Sequence, residues 1–160
     1  GAVIDKRSFD KHAQAIDEAK ANIGKGVVEV IGGGHDDSKG YFVQPTIFAV
    51  PSDARDVAVW NEEIFGPVVT VQPFDDDEDA VSCANGMPFG LAASLWTEDL
   101  GRAMRLTPLL DFGTVWVNDH LVTLPEMPHG GRKLSGYGSE GSPYGIREFT
   151  QLKHVWTRHG

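Results

Sequence analysis

The sequence predicts an α/β domain built around a parallel sheet. Extended stretches alternate with amphipathic helical patterns along most of the chain, and hydrophobic residues make up 41% of its 160 residues, as in ordinary soluble domains. Parallel strands need a crossover between them, usually a helix, so this alternation favours parallel pairing. A chain of this length fits one domain and can bury a hydrophobic core.

Three segments have helical patterns. Residues 8–23 carry apolar or small side chains at steps of three and four, and Gly24 is placed to end that helix. An acidic run at 75–79 precedes an apolar stretch, and acids favour the N-terminus of a helix because they complement its dipole. The third helix is predicted over 100–106, with Thr97 as its N-cap.

Extended stretches rich in β-branched and aromatic side chains separate these helices. They lie at residues 27–31, 41–49, 68–74, 91–96 and 114–117. Pro45 interrupts the second stretch. Because proline cannot donate a hydrogen bond to a β-ladder, this stretch is predicted to be an edge or irregular strand.

The character of the chain changes after Asn118. Three prolines and six glycines follow before residue 150, and they predict a loop of about 25 residues. A loop of that length in a compact domain is usually functional. A last extended segment is predicted over 151–156, with Leu152, His154 and Trp156 on one face.

Charge and composition limit the partners. The chain has 23 acidic and 14 basic side chains and a formal charge of -9, so we expect no nucleic acid partner. No apolar run approaches the roughly 18 residues of a membrane span, so we expect no membrane insertion. The single cysteine is typical of a reducing, cytoplasmic environment. Since the chain begins with glycine and shows no leader pattern, we interpret it as a processed product or a fragment.

Two motif matches are interpreted as structural. Residues 136–141 read G-x-G-x-x-G, but the polar sequence R-K-L-S at 132–135 precedes them where a dinucleotide site requires a strand, and the sequence ends 19 residues after Gly141, before the acidic residue that such a site needs. The acidic run 75–79 departs from a calcium loop, because Ala80 and Gly86 stand at the sixth and twelfth positions. We therefore expect a glycine-rich loop and a solvated helix N-terminus.

The cysteine and histidine residues offer no complete catalytic set. Cys83 lies in a predicted helix beside carboxylates, which disfavour the reactive thiolate. The six histidines lack metal-ligand spacing, so we expect no metal site. His120 and His129 remain candidates for a functional role because both lie in the long loop, although a packing role for each stays open.

Several motifs follow one another between residues 61 and 140. Residues 61–68 read N-E-E-I-F-G-P-V and residues 113–118 read G-T-V-W-V-N. They resemble the E-E-I-F-G-P-V signature and the G-x-V-x-V-N strand of the aldehyde dehydrogenase superfamily. Residues 128–140 are similar to its P-F-G-G-x-K-x-S-G-x-G-x-E stretch. His129 replaces the usual aromatic residue, and with the preceding residues 126–128 it resembles the aminobutyraldehyde branch.

The resemblance implies an enzyme that oxidises an aldehyde to the carboxylic acid with NAD or NADP. In the family, a cysteine attacks the aldehyde, the thiohemiacetal transfers a hydride to the nicotinamide, and water hydrolyses the thioester. The implied roles are cofactor binding for Glu63, through the nicotinamide ribose, and for Phe65, beside the nicotinamide ring. Glu140 would be an auxiliary catalytic residue that organises water. His120 and His129 would line the aldehyde entrance.

The resemblance also implies an incomplete enzyme. The family's cofactor domain, nucleophilic cysteine and general base all precede the matched part, so we expect a partial catalytic domain over 1–148 and an oligomerisation strand over 149–160. We expect this chain to associate with the remaining segments of the enzyme, and we expect the intact enzyme to form a homo-oligomer. The isolated chain should be inactive and should bind no cofactor tightly. Ser139 and Ser142 depart from residues that are frequent in the family.

Two other interpretations remain open. The chain could be a non-catalytic assembly module that pairs with a fuller subunit through its last strand. It could also be a small independent nucleotide-binding domain, although the glycine motif lacks the required context.

Overall fold

A computed structural model describes residues 1–25, 27, 29–52 and 58–160. Position 28, inside the first predicted strand, lies outside these residues. The chain forms two compact units, Gly1–Asp76 and Asp77–Gly160, where its length alone predicts one domain. Helices alternate with short strands in each unit, which confirms the α/β class.

The first unit contains two helices and five strands among its described residues. They are α1 (Lys6–Ala21), β1 (Glu29–Ile31), β2 (His35–Asp36), β3 (Phe42–Val43), β4 (Thr46–Ala49), α2 (Ala58–Asn61) and β5 (Val68–Val71). Strand β4 lies between β1 and β5, antiparallel to β1 and parallel to β5, and β2 pairs with β3 as a separate antiparallel ribbon.

Of the two alternatives predicted for the stretch with Pro45, the irregular strand is confirmed and the edge strand is wrong for β4. The chain breaks at this proline into β3 and β4, and β4 is the central strand of its sheet. Pro45 precedes Thr46, the first paired residue of β4, so its missing N–H is not needed in the ladder. The Thr46 N–H instead donates to the Pro67 carbonyl at 2.8 Å and begins the parallel pairing.

Helix α1 supplies much of the core of the first unit. Asp5 caps it by accepting a hydrogen bond from the Ser8 N–H at 2.7 Å, which lowers the pKa of Asp5. The helix begins and ends two residues before the predicted bounds, and Asn22 rather than Gly24 is its C-cap. Its buried face contains Phe9, His12, Ala15, Ile16 and Ala19. Ile16 packs in one cluster with the fully buried Phe48 of β4.

The second unit contains three helices, four strands and a short 3₁₀ turn. They are α3 (Asp77–Asn85), β6 (Phe89–Gly90), β7 (Ala92–Leu95), α4 (Leu100–Leu106), the 3₁₀ turn (Thr107–Leu109), β8 (Thr114–Val117), β9 (Arg132–Lys133) and α5 (Ser142–Glu148). Strands β7 and β8 are parallel, whereas β6 and β9 are antiparallel.

The described residues do not form the single parallel sheet that the sequence predicts. They form one three-stranded sheet and three separate pairs. The helical crossover argument holds where a helix separates the strands, as α4 separates the parallel strands β7 and β8. The same argument does not apply to β2 and β3, because no helix separates them and their short connection leads to antiparallel pairing.

Two local predictions in the second unit are also wrong. The N-cap of α4 is Asp99, whose carboxylate accepts from the Arg102 N–H at 3.0 Å, while the Thr97 hydroxyl accepts from the Asp99 N–H. The predicted long loop contains β9 and α5. Pro143 lies in the first turn of α5, where a missing N–H costs nothing, so this proline begins a helix instead of interrupting one.

The last ten residues have no strand pairing in the described structure. Leu152 and Trp156 are 99% and 82% exposed, and His154 is also exposed. The terminal oligomerisation strand therefore stays a prediction. Among the described helices, none combines the length and the apolar character that crossing a membrane requires.

Candidate functional site

The first candidate site is the turn over residues 62–67, between α2 and β5. Ile64 is only 8% exposed and joins the core cluster, whereas its neighbours Glu63 and Phe65 are exposed. Phe65 is 84% exposed and has φ of 54°, a left-handed conformation that bulky residues rarely adopt. A buried anchor thus carries two outward-facing side chains, and the strained backbone is typical of a functional turn.

Contacts on both sides hold this turn. The Lys11 ammonium of α1 donates a hydrogen bond to the Glu63 backbone carbonyl. At the other end, the Val68 N–H donates to the Gly66 carbonyl at 2.7 Å, and the neighbouring Pro67 carbonyl accepts from Thr46 of β4. These bonds leave the Glu63 carboxylate on the surface while its backbone is fixed.

The turn fits the ribose and the ring of a nicotinamide nucleotide. An ionised carboxylate offers only acceptor oxygens, so Glu63 suits the two hydroxyl donors of a ribose. The exposed Phe65 ring offers an apolar face that a flat heteroaromatic ring can cover. The residues present are therefore chemically suited to hold this part of the cofactor.

The second candidate site is an open cleft of about 790 Å³ in the second unit. His129 and Glu140 both line it, and their backbones form a two-bond antiparallel bridge with N···O distances of 2.9 and 2.7 Å. His129 Nδ1 also lies 3.1 Å from the Thr114 hydroxyl of β8. The structure therefore brings together two of the predicted site residues, His129 half-buried and Glu140 exposed.

His120 occupies a different place in the same unit. Its Nδ1 lies 2.7 Å from the Ser94 hydroxyl at the end of β7, and its ring meets the Trp116 ring edge-on at 5.7 Å between centroids. His129 lines a further cavity of about 470 Å³ together with Thr114 and Trp116, but His120 is not among the described residues that line it.

The side chains of α1 that support the turn were missed from the sequence. Lys11 looks like one surface charge among many, and no short motif distinguishes it. His12 could have been found, because it lies three residues after Phe9 and four before Ile16, on the apolar face of the helix. Ser94 and Trp116, which contact His120, were also missed, because their pairing depends on the register of β7 and β8.

In the described parts of the chain, the other chemistry-bearing groups do not assemble into a catalytic or metal centre. Cys83 is buried in α3, with its Sγ 3.7 Å from the Asp79 carboxylate. Among the residues that the structure describes, no group of three or more His, Cys, Asp or Glu side chains could hold a metal ion.

Comparison with known proteins agrees with the motifs. The sequence model of the aldehyde dehydrogenase family matches residues 1–155. The cytosolic aldehyde dehydrogenase 1 of Rattus norvegicus is 41% identical over 97% of this chain, which spans 30% of that protein.

Solved structures give the same result. The indole-3-acetaldehyde dehydrogenase of P. syringae, solved with NAD+ and IAA, superimposes with a TM-score of 0.89 and 33% identity, over 99% of this chain and 32% of its own. The gamma-glutamyl-gamma-aminobutyraldehyde dehydrogenase of Burkholderia cenocepacia has a TM-score of 0.84 and 36% identity, over 96% of this chain and 30% of its own. This chain belongs to the aldehyde dehydrogenase family, and it spans about a third of the length of these relatives.

Proposed function

We propose that the chain is the C-terminal part of an enzyme that oxidises an aldehyde to the carboxylic acid with NAD or NADP. One observation carries the proposal: the 62–67 turn presents an exposed carboxylate and an exposed aromatic ring on a backbone fixed from both sides. In this proposal the nucleophilic cysteine and the general base belong to other segments of the intact enzyme, and Cys83 replaces neither.

The turn binds and orients the cofactor, which when bound supplies the hydride acceptor. Glu63 accepts hydrogen bonds from the ribose hydroxyls and so fixes the sugar, while Phe65 covers one face of the nicotinamide. Full burial of a phenylalanine side chain stabilises by about 1.5–3 kcal/mol, and a covering ligand recovers part of this. Because Ile64 anchors the turn, little conformational entropy remains to be lost on binding.

The cleft in the second unit serves the later, hydrolytic half of the reaction in this proposal. The Glu140 backbone is fixed by its bridge with His129, so its carboxylate can orient water from a defined position. Glu140 is an auxiliary group, and its removal should slow hydrolysis without abolishing aldehyde binding. In this proposal the aldehyde entrance is at the cavity that His129 lines together with Trp116, and His120 adjoins it through its ring contact with Trp116.

We propose a small aminoaldehyde, such as 4-aminobutyraldehyde, as the substrate. The sequence at 126–129 supports this choice, as does the similarity to the Burkholderia cenocepacia enzyme, whose name contains an aminobutyraldehyde. The test compares kcat/KM for aminoaldehydes with kcat/KM for aliphatic aldehydes of equal length on the full-length enzyme. A preference of about tenfold for the aliphatic series, which corresponds to roughly 1.4 kcal/mol, would contradict the assignment.

The isolated chain tests whether the nucleophile and the general base belong to other segments of the enzyme. The 160-residue polypeptide, with its mass verified, should form no NADH from any aldehyde, because removing a nucleophile or base costs many orders of magnitude in rate. The full-length enzyme should form NADH under the same conditions. Steady NADH formation by the short chain would overturn the proposal.

An assembly module remains the alternative function. The exposure of Leu152 and Trp156 favours it, because an unpaired apolar segment attracts another chain. In the intact enzyme we propose that the same segment pairs across a subunit boundary in a cytoplasmic homo-oligomer. The two functions differ in one result: a purely structural module leaves aldehyde oxidation unchanged when Glu63 is replaced.

A further inference from the structure

His12 of α1 is a buried imidazole that the proposed function does not use. Its side chain is 0% exposed, and neither Nδ1 nor Nε2 has a hydrogen-bond partner among the described residues. Buried polar groups are nearly always hydrogen-bonded, so each exception calls for an explanation. A hydrophobic side chain would fill this helical position without leaving two ring nitrogens unsatisfied.

The ring lies directly against the 62–67 turn. A methyl group added at Gly66 would come within 2.0 Å of His12 Cε1 and 2.4 Å of Nε2. Since Gly66 does not have a positive φ, a glycine is needed there for space and not for backbone conformation. The imidazole thus packs on the backbone immediately after Phe65.

The surroundings favour the neutral ring. Burial lowers the pKa of His12 below its ordinary value of 6.5, the nearby Ser8 carbonyl partly offsets this effect, and the charge of Lys11 adds to the lowering. The turn contributes the exposed carboxylates of Glu62 and Glu63, but neither bonds to the ring. The described residues of α2, β3, β4 and β5 contain no titratable side chain. His35 of β2 and Tyr41, just before β3, face the same side of α1 but contact the ring of Phe9.

We propose that His12 is a positioning residue: its neutral ring seats Gly66 and so holds Glu63 and Phe65 in their cofactor-facing arrangement, and protonation of the ring releases the turn. The cofactor-facing part of this inference rests on the proposed function. The mechanical part of the inference, that His12 controls the conformation of the turn, is independent of the proposed function. The Ser8 carbonyl can accept a hydrogen bond from only one N–H of a protonated ring, so the other N–H would be buried without a partner, and the turn must move to admit water to it.

The mechanical part is tested by NMR on the 160-residue chain carrying Trp156→Lys, a substitution of an exposed terminal residue that should reduce association of the chain. The Gly66 amide resonance should titrate with the same midpoint as the His12 ring, below 6.5. In His12→Phe, which keeps a buried ring but cannot be protonated, the resonance should be independent of pH over this range. His35→Gln on β2 is the matched control and should leave the titration unchanged. A His12 titration to which Gly66 does not respond would overturn the proposal.

A reciprocal pair of substitutions covers the case in which His12→Phe does not fold. Gly66→Ala should lower the urea midpoint of unfolding, because its new methyl group overlaps the ring. Adding His12→Ala removes the overlap, so the double variant should unfold at a higher urea concentration than Gly66→Ala alone. If the two substitutions lower the free energy of unfolding by strictly additive amounts, the His12 ring and Gly66 are not in steric contact and the proposal fails.

The functional part is measured on the full-length enzyme. The KM for NAD should rise about tenfold for each pH unit below the His12 midpoint, because the neutral fraction falls by that factor, while kcat at saturating NAD changes less. His12→Phe should remove this dependence. If NMR shows the coupling but KM does not follow it, the proposed role of the turn fails while the mechanical inference stands. If Gly66 does not titrate, the inference itself fails.

Discussion

Asn118 locks the end of the parallel β7–β8 pair, and its replacement tests how the loop that carries His120 is held. Its Oδ1 accepts from the Thr97 N–H and its Nδ2 donates to the Thr97 carbonyl, both at 2.8 Å. Its own N–H donates to the Leu95 carbonyl, also at 2.8 Å. The side chain therefore adds a two-bond rung beyond the last paired residues of the strands. Its φ of 54° is one that asparagine tolerates better than most residues.

Asn118→Ala should destabilise the chain by about 2–4 kcal/mol. The two lost hydrogen bonds account for roughly 0.5–1.5 kcal/mol each. A left-handed alanine adds about 1 kcal/mol or somewhat more. Asn118→Asp keeps the acceptor for the Thr97 N–H and the tolerance of positive φ, but it places an oxygen opposite the Thr97 carbonyl. It should therefore cost less than the alanine variant.

Urea denaturation and amide hydrogen exchange measure both effects. The Thr97 amide should lose protection in Asn118→Ala and keep most of it in Asn118→Asp. The matched control is Glu98→Ala, next to Thr97 on the surface, which should change stability by less than about 0.5 kcal/mol. If Asn118→Ala costs no more than this control, the side-chain rung contributes nothing and the reasoning is refuted.

Three further predictions concern the helix cap, a glycine contact and assembly. Asp5→Ala should lower the urea midpoint, and the wild-type advantage should fade in acid. The folded pKa of Asp5 lies below its ordinary 3.8, so its contribution is present above that value and is lost as the pH falls through the folded pKa. Gly113→Ala should cost at least about 1–3 kcal/mol, since its methyl group would lie 1.7 Å from the Gly130 carbonyl oxygen, whereas Gly1→Ala meets no atom and should be neutral. By light scattering the chain should dimerise or aggregate at micromolar concentration, and Trp156→Lys should reduce this; a clean wild-type monomer would contradict the assembly proposal.

Regular patterns with clear boundary residues were predictable. The helix over 100–106 and the strand over 114–117 have the predicted bounds, because a periodic apolar pattern lies between polar or glycine residues in each case. Helix α1 was also found, with its ends shifted by two residues. Such boundary errors arise because Asp5 and Asn22 compete locally with Ser8 and Gly24 as helix ends.

The rest depended on tertiary contacts. Glycine and proline predict a loop over residues 119–145, but several glycines there allow close backbone contact: a methyl group at Gly130 would lie 2.3 Å from the Gly138 carbonyl oxygen. Regular structure therefore forms in this stretch: β9 pairs within the closely packed backbone, and Pro143 lies in the first turn of α5. The candidate site followed the same division. Glu63 and Phe65 were found from the motif. The apolar face of α1 could have indicated that His12 is buried, but its contact with Gly66 depends on tertiary packing that the sequence does not show.

The most direct test of the proposed function is single-turnover hydride transfer in the full-length enzyme carrying Glu63→Gln. Glutamine keeps one acceptor oxygen but replaces the other with a donor, which cannot accept from a ribose hydroxyl. Hydride transfer should slow by about tenfold or more, roughly 1.4 kcal/mol, with an unchanged urea midpoint. Glu62→Gln, on the adjacent exposed residue, should leave the rate unchanged. An unaltered rate in Glu63→Gln would contradict the assignment of the 62–67 turn to the cofactor.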